Sequence, residues 1–488
     1  MIAKVTMAVR DFDLVAPLGS PGNGRPTDMR STDTSGQLSL FDRAEHEHGS
    51  GAVSLPIDAT MGLRQGDVDS ASGCSQPPTA TTRTPRTSTM ATRTTTTRTM
   101  SSGCASSADQ TSALHALEGH ADFSFAELVA AYLDCLCNKR NTPSARAFEI
   151  DQETNLYALY MALRDGTYRP GRSTCFVITR PKPREVWAAP FVDRIVHHLL
   201  YNHIAERFHR AFIIDSCACI PGRGTLYAAE RLEAKIRSVT QNWSQPAYYL
   251  KLDLANFFVS IHRPTLRGQL AARIPEPWWM ALAELILFHD PRPDVDLRIP
   301  RRLLACVPPH KSLFNQPPER GLPIGNLSSQ FFANVYLDAL DQFVKHRLHA
   351  RYYIRYVDDF LLLHESAQWL NAALEQIEAF LPRELQVRLN PAKTILQPIA
   401  RGVDFVGQVI KPWCRRTRRR TVRAALDRLT RVAEADLYVT ANSYFGHLGQ
   451  ASNSHTDRAR LANLLRRRGR SVDHRLTKSY RPGTGAAA

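Results

Sequence analysis

The sequence predicts an α+β fold preceded by a disordered N-terminal tail. After Ala113, apolar residues recur at helical spacing in several long segments, and shorter apolar runs between them have the length of strands. The apolar fraction is 43% over 488 residues, which is enough to bury a sizeable core. The composition changes sharply near Ala113, and this change separates the tail from the folded part.

The tail comprises residues 1–112. Between residues 79 and 99, 12 of 21 side chains are Thr and 4 are Arg, and Ser, Gly, Pro and Asp dominate elsewhere in the tail. This composition buries too little apolar surface to offset the entropy that the chain loses on folding. We therefore expect no stable fold in this region.

The folded part is expected to mix helices with a few strands. Helices are expected at residues 125–136, 156–163, 195–212, 278–289, 328–348 and 368–380, with Ser328 as an N-cap. Strands are expected at residues 174–179 and 248–254, around 385–389 and at 403–410, with a hairpin over 351–364. The Pro-rich residues 290–318 are expected to form a long loop, and a basic helical segment is expected near the C-terminal end.

Positive charge is concentrated at the C-terminal end of the chain. Residues 411–488 contain 18 Lys and Arg against 5 Asp and Glu, and the whole chain has a formal net charge of +16. A basic segment beside a near-neutral body favours a polyanion partner, most simply nucleic acid. No apolar stretch approaches the roughly 20 residues of a membrane-spanning helix, and no signal-peptide pattern is present. We therefore expect a cytoplasmic protein without a membrane partner.

A pair of adjacent carboxylates stands out in Tyr356-Val357-Asp358-Asp359, between the two apolar runs of the expected hairpin. Two carboxylates held together at a turn repel each other and are costly to desolvate, and a divalent cation relieves both costs. Asp253 ends another expected strand and can meet Asp358 on a neighbouring strand. Because carboxylate oxygens suit Mg²⁺, the sequence predicts that Asp253, Asp358 and Asp359 bind two such ions.

Five motifs follow one another in the folded part: DLANFF at 253–258, GLPIGNLSSQ at 321–330, YVDD at 356–359, LNPAKT at 389–394 and GVDFVG at 402–407. With these motifs the chain resembles reverse transcriptases over residues 120–470. The resemblance implies a right-hand polymerase and RNA-directed DNA polymerase activity, in which template RNA is copied into cDNA by two-metal nucleotidyl transfer. The implied domains are N-terminal helices and fingers at 113–247, a palm with an antiparallel sheet at 248–410, and a basic helical thumb with the C-terminal tail at 411–488.

The resemblance also implies roles for individual residues. Lys393 would donate a proton to pyrophosphate, and the ring of Phe258 would exclude a ribose 2′-hydroxyl. Mg²⁺ would be the metal, with Mn²⁺ as a substitute. The metal ligands would be Asp253, Leu254, Asp358 and Asp359. The dNTP would contact Lys182, Arg184, Phe258, Ile324, Gly325 and Gln330. The primer–template duplex, including an RNA–DNA hybrid, would contact Tyr356, Phe405, Gly407, Arg418 and Arg419.

Ile324 and Ser329-Gln330 indicate a subfamily. Most reverse transcriptases have Gln at the first position and Ser-Pro at the other two, and the chain is similar here to enzymes of bacterial diversity-generating retroelements and to defence-associated relatives. In the retroelement enzymes this change accompanies misincorporation opposite template adenine, since an alkyl group offers no hydrogen bond to the incoming nucleotide. Three functions stay open: an error-prone retroelement polymerase, an anti-phage defence polymerase and a catalytically inactive nucleic-acid-binding scaffold.

Two protein partners are expected besides nucleic acid and dNTPs. Gln37, Leu38, Leu40 and Phe41 form a segment that resembles the peptide by which proteins bind the bacterial sliding clamp. Its apolar side chains would enter a groove, and Gln37 would add directional hydrogen bonds. The resemblance to retroelement enzymes implies a small basic accessory protein as the second partner.

Overall fold

The computed structural model describes residues 122–137, 142–179, 182–299 and 301–481. The expected tail at 1–112, with the expected clamp-binding residues Gln37, Leu38, Leu40 and Phe41, lies outside these residues. Within the described ranges helices and mostly antiparallel strands are mixed, so the predicted α+β class is confirmed.

The N-terminal described part is mainly helical. Ser124 and Glu127 form a reciprocal capping box that satisfies backbone N–H groups at the start of the first helix. The elements in chain order are α1 (Phe125–Leu136), α2 (Pro143–Ile150), α3 (Gln152–Arg164), β1 (Ser173–Ile178), β2 (Arg184–Ala188), α4 (Phe191–Ala211) and α5 (Thr225–Val239).

The middle of the chain contains the central sheet. Its elements are β3 (Tyr248–Asp253), α6 (Phe257–Ser260), α7 (Arg263–Ala271), α8 (Pro277–Phe288), β4 (Val295–Leu297), α9 (Arg301–Leu304), α10 (Leu327–Gln342), β5 (Tyr352–Tyr356), β6 (Asp359–His364), α11 (Ala367–Glu384) and β7 (Ile395–Pro398). The strand order β5-β6-β3-β7 is antiparallel throughout. Because side chains alternate along a strand, Leu250 and Leu252 enter the large helical core, whereas Tyr249 enters a second core on the other face.

Two smaller units complete the described part of the chain. Strand β4 joins β1 in parallel beside the antiparallel β1–β2 pair. Near the C-terminal end a second three-stranded sheet has the order β10-β9-β8, and three helices share a core that includes Leu429 and Phe445. These last elements are β8 (Val403–Phe405), β9 (Gln408–Lys411), β10 (Cys414–Thr417), α12 (Arg419–Arg431), α13 (Glu434–Gly449) and α14 (His455–Arg467).

Four local expectations are wrong. Residues 403–410, expected as one strand, form parts of the two antiparallel strands β8 and β9. Helix α10 begins at Leu327 with Asn326 as its N-cap rather than Ser328, and the Asn326 side chain accepts a hydrogen bond from the Ala189 backbone instead of capping the helix. Residues 385–389 contain only an isolated bridge between Leu389 and Leu254. The segment 290–318 is not an unbroken loop, since it includes β4 and α9. In the described residues, no helix combines the length and apolarity that crossing a membrane requires.

Candidate active site

Asp253 and Asp359 face each other across the central sheet. The register of β3 and β6 pairs the last residue of one strand with the first residue of the other. Directly opposed residues of antiparallel strands have Cβ atoms about 5 Å apart. Asp358 lies in the adjoining turn, where its backbone oxygen accepts a hydrogen bond from the Leu254 N–H at 3.3 Å. The sheet thus brings together the three carboxylates that the sequence singled out.

The turn that carries Asp358 has a constrained backbone. Tyr356 pairs with Asp359, so Val357 and Asp358 form a two-residue connection between β5 and β6. Val357 has φ of 55°, a left-handed conformation that is uncommon for a β-branched side chain and costs on the order of 1–3 kcal/mol. Such backbone strain persists only where the surrounding structure compensates for it.

Arg355 provides this compensation from within the core. Its side chain is fully buried and donates to the Val357 carbonyl oxygen at 3.0 Å. Its remaining donors bind the Asp341 carboxylate twice, at 2.8 and 2.6 Å, the Asn334 side chain at 3.1 Å and the Ser216 hydroxyl at 2.9 Å. All five donors of the guanidinium are therefore satisfied. Arg355 was not predicted from the sequence, because its partners Ser216, Asn334 and Asp341 are distant in sequence.

Two lysines neutralise two of the three carboxylates. Lys393 Nζ lies 2.6 Å from both carboxylate oxygens of Asp253. Lys251 Nζ lies 2.9 Å from Oδ2 of Asp359. Lys393 was expected at this site from the sequence, whereas Lys251 was not. A signal existed, because Lys251 stands two residues before Asp253 on a strand and such residues share one face of the sheet.

The carboxyl group of Asp358 has a raised pKa. Burial, followed by the neighbouring charge of Asp253, raises its pKa from 3.8 to about 6. Burial also raises the pKa of Asp359, whereas Lys251 lowers it. These shifts indicate that the site holds more negative charge than the protein alone compensates.

The residues fit a hard divalent cation. Oδ1 of Asp359 is buried and has no hydrogen-bond partner, although a buried carboxylate oxygen normally has one. In the described residues no group of three or more His, Cys, Asp and Glu side chains is already arranged around a metal position. Lys393 holds Asp253 in this arrangement, so metal binding by all three carboxylates requires Lys393 to move away from Asp253.

The 321–330 segment contacts strand β2. The Trp187 N–H donates to the Ile324 carbonyl oxygen at 2.7 Å. Gly325 has φ of 134°, and a Cβ there would lie 2.6 Å from the Trp187 carbonyl oxygen, so only glycine fits this close approach. Ile324 is half-buried, and Gln330 accepts a hydrogen bond from the Cys219 thiol at 3.5 Å.

The other expected dNTP contacts lie on neighbouring elements. Phe258 is half-buried, packs on Phe257 with ring centroids 5.5 Å apart, and accepts the Leu322 N–H through its carbonyl oxygen. Lys182 and Arg184 are exposed just before and at the start of β2. Phe258 is therefore linked by its backbone to the 321–330 segment, while the two cations are free to meet a ligand from solvent.

The β8–β9 turn lies against the C-terminal helices. Gly407 has φ of 86° and faces the His447 ring, and its carbonyl oxygen accepts the Arg418 N–H at 3.1 Å. Arg418 also binds the Asp404 carboxylate, while Arg419 is exposed at the start of α12.

One expected duplex contact needs correction. The ring of Phe405 is 0% exposed and packs against Tyr356, with ring centroids 6.5 Å apart. Its side chain therefore supports the β8–β9 turn from the core and is not available to touch a duplex. Tyr356 is half-buried.

A comparison with protein families gives a match in the central part of the chain. Residues 181–410 match the family described as reverse transcriptase (RNA-dependent DNA polymerase). This range includes the three carboxylates, the 321–330 segment and the β8–β9 turn. Residues 181–410, somewhat less than half of the chain, are therefore similar to reverse transcriptases.

Solved structures similar to this chain include telomerases of two Candida species. Telomerase from Candida albicans in complex with a TWJ fragment of telomeric RNA is 12% identical, with a TM-score of 0.41, and the similarity covers 62% of this chain and 54% of that chain. Apo telomerase from Candida tropicalis is 12% identical, with a TM-score of 0.39 and coverage of 61% and 57%. The form truncated from its C-terminal domain is 11% identical, with a TM-score of 0.38 and coverage of 51% and 55%. This chain thus spans about half the length of these proteins. A comparison with curated proteins gave no match.

Proposed function

We propose that the chain copies a template RNA into cDNA, with Asp253, Asp358 and Asp359 as the metal-binding catalytic carboxylates. The observation that carries this proposal is the β3–β6 register, which opposes Asp253 to Asp359 beside the turn of Asp358. All three carboxylates are intact, which argues against a catalytically inactive scaffold. The intact site and the basic C-terminal segment together favour an active polymerase on a nucleic-acid substrate.

The protein's own residues bind and orient the substrates. Lys182 and Arg184, both exposed near β2, bind the triphosphate, where the guanidinium can pair with two oxygens and the ammonium acts as a point charge. Ile324, Gly325 and Gln330 position the base and sugar of the dNTP. Phe258 lies beside this segment and excludes a 2′-hydroxyl.

In this proposal the carboxylates would hold the metal ions, and Lys393 would donate a proton to the leaving group. When bound, two Mg²⁺ ions, or Mn²⁺ as a substitute, activate the primer 3′-hydroxyl and neutralise the departing pyrophosphate. Asp253, with Leu254 beside it, and the Asp358–Asp359 pair would hold these ions. Lys393, which contacts the Asp253 carboxylate in the structure, would donate a proton to pyrophosphate as it leaves. In the structure its side chain is 46% exposed, so it has room to turn.

The duplex is proposed to lie against the β8–β9 turn and the basic C-terminal helices. Gly407, Arg418 and Arg419 hold its backbone, with Tyr356 near the primer terminus. Contacts of this kind go mostly to phosphates and tolerate any sequence. The division into fingers at 113–247, palm at 248–410 and thumb at 411–488 follows from this proposal.

Primer extension tests the proposal. Wild type is incubated with a DNA primer on a defined RNA template, dNTPs and Mg²⁺, beside the Asp358→Asn variant. We expect the variant to lose extension by at least about 10³-fold, because an amide is a poor ligand for the metal, while it still binds the duplex normally. Extension by Asp358→Asn at the rate of wild type would contradict the metal-binding role.

We further propose that synthesis is error-prone, as in a diversity-generating retroelement. The support is Ile324, whose backbone is fixed on Trp187 while its alkyl side chain offers no hydrogen bond to a nucleotide. Ile324→Gln should reduce misincorporation opposite template adenine in sequenced cDNA, and an unchanged error spectrum would remove this support.

A small basic accessory protein and the sliding clamp are proposed partners. A role in anti-phage defence is the alternative setting for the same chemistry.

A further inference from the structure

Lys251 links the catalytic carboxylates to the β8–β9 turn. Its Nζ lies 2.9 Å from Asp359 Oδ2 and donates to the Asp404 carbonyl oxygen at 2.8 Å. The same ammonium lies 6.0 Å from the centroid of the buried Phe405 ring. With a side chain only 14% exposed, Lys251 has given up most of its hydration and depends on these partners.

The contacts continue beyond Asp404 to the C-terminal helices. The Asp404 carboxylate binds Arg418, and the Arg418 N–H donates to Gly407 in the β8–β9 turn. A continuous series of polar contacts therefore runs from Asp359 through Lys251 and Asp404 to the start of α12. Only Lys251 in this series touches both a catalytic carboxylate and strand β8.

We propose that Lys251 is a positioning residue that holds the Asp359 carboxylate in fixed relation to strand β8 and the adjoining turn. The inference rests on the proposed polymerase function, since the duplex is proposed to lie on that turn. Lys251 has a second effect, because its charge offsets one of three crowded carboxylates and so weakens their attraction for a cation.

Because Lys251 both positions Asp359 and offsets its charge, replacing Lys251 should change the rate of nucleotide transfer and the affinity for a cation in opposite directions. Removing the amine frees Asp359 to take other positions, which slows nucleotide transfer. Removing its positive charge leaves the carboxylates more negative, which strengthens cation binding to the free protein. A lysine that only stabilised the fold would lower both quantities together.

The experiment compares Lys251→Met with wild type and with a matched control. Lys235 is the control, since its Nζ lies 2.9 Å from Asp215 with a side chain 13% exposed, and Asp215 keeps Arg231 as a second partner. Single-nucleotide extension is measured on an RNA template, and Mn²⁺ affinity is measured on free protein by electron paramagnetic resonance. We expect Lys251→Met to extend roughly 10-fold or more slowly, with little change in KM for dNTP, and to bind Mn²⁺ several-fold more tightly. Lys235→Met should match wild type in both.

Lys251→Gln and Lys251→Arg extend the test. The Gln variant keeps a donor for Asp404 without the charge, and we expect it to fold and to show the same opposite changes if the Met variant is unstable. The Arg variant keeps the charge and should return Mn²⁺ affinity to that of wild type. The inference would be overturned if the Gln variant had the extension rate and the Mn²⁺ affinity of wild type. It would also be overturned if a folded variant lost extension rate and Mn²⁺ affinity together. Failure of wild type itself to extend any primer would instead refute the polymerase function, and the Mn²⁺ measurements would still test the effect of the Lys251 charge.

Discussion

Asp358 is the residue at which function and stability oppose each other. Its pKa is raised from 3.8 to about 6, first by burial and then by the charge of Asp253. Because the folded-state pKa lies above the unfolded value, the folded protein binds this proton more tightly. The ionised carboxylate therefore lowers stability above pH 6, and this cost disappears as the pH falls towards 4.

The substitution Asp358→Asn should stabilise the protein in the absence of metal. At pH 7.5 with a chelator, we expect the free energy of unfolding to rise by about 1–3 kcal/mol, because the amide carries no charge to desolvate. Urea denaturation at pH 7.5 and at pH 5 checks the sign, since the advantage should shrink at the lower pH. A variant less stable than wild type at pH 7.5 would show that interactions within the folded protein outweigh the cost of burying the ionised Asp358 carboxylate.

At the scale of single elements, the β5–β6 hairpin depends on its support from α10. The strained Val357 is held by Arg355, and Arg355 is held by Asp341 on that helix, with both side chains 0% exposed. A charged pair buried this deeply stabilises little by itself, but removing one partner leaves an uncompensated charge. The geometry of Asp358 therefore depends on Asp341, a residue of α10 that does not touch the substrate in our proposal.

Arg355→Met should be strongly destabilising. We expect a loss of about 3–5 kcal/mol in the free energy of unfolding, since Asp341 is left charged and unpaired in the core. Combining it with Asp341→Asn removes that charge, keeps a partner for the Tyr353 hydroxyl, and should recover more than half of the loss. Urea denaturation of the three proteins measures both effects. An additive loss in the double variant would show that the pair is not coupled.

The hairpin and the helices could be predicted because their signals are local. Apolar runs on both sides of the Asp358–Asp359 pair and helical spacing in residues 125–136 need no distant partner. The N-cap of α10 could not be predicted, because Ala189 captures the Asn326 side chain from 137 residues away. Arg355 was missed for the same reason, since its role depends on partners that the fold brings to it. Lys251 was missed although its place two residues before Asp253 on a strand indicated the same face of the sheet.

At the scale of the whole molecule, the sequence predicted the α+β class but not the strand order. β3 pairs with both β6 and β7, which are more than 100 residues further along the chain. No local pattern encodes such a pairing. The order of the motifs indicated instead that Asp253 and Asp358 share one site, and this requires the strands that carry them to be neighbours.

The uneven charge gives a prediction for binding by the whole protein. Arg419 and Arg420 are exposed on α12, while Val422, Ala425 and Leu429 pack inward. Arg419→Gln with Arg420→Gln should weaken duplex binding and reduce the slope of log affinity against log salt by about 2, since two phosphate contacts are lost. Fluorescence anisotropy across a salt series measures this slope.

The control for this experiment changes the net charge equally elsewhere. Arg210 and Arg383 are 76% and 68% exposed in surface ion pairs. Replacing both with Gln should leave the salt slope close to that of wild type. Equal effects of the two double variants would mean that overall charge, rather than the α12 surface, governs binding.

The most direct test of the proposed mechanism is the number of Mn²⁺ ions bound in a stalled complex with RNA template, a 3′-deoxy DNA primer and dNTP. We expect two ions per wild-type complex, measured by electron paramagnetic resonance, and fewer for Asp358→Asn at the same duplex occupancy. Equal stoichiometry in the two proteins would contradict the assignment of Asp253, Asp358 and Asp359 as the carboxylates that hold the catalytic metals.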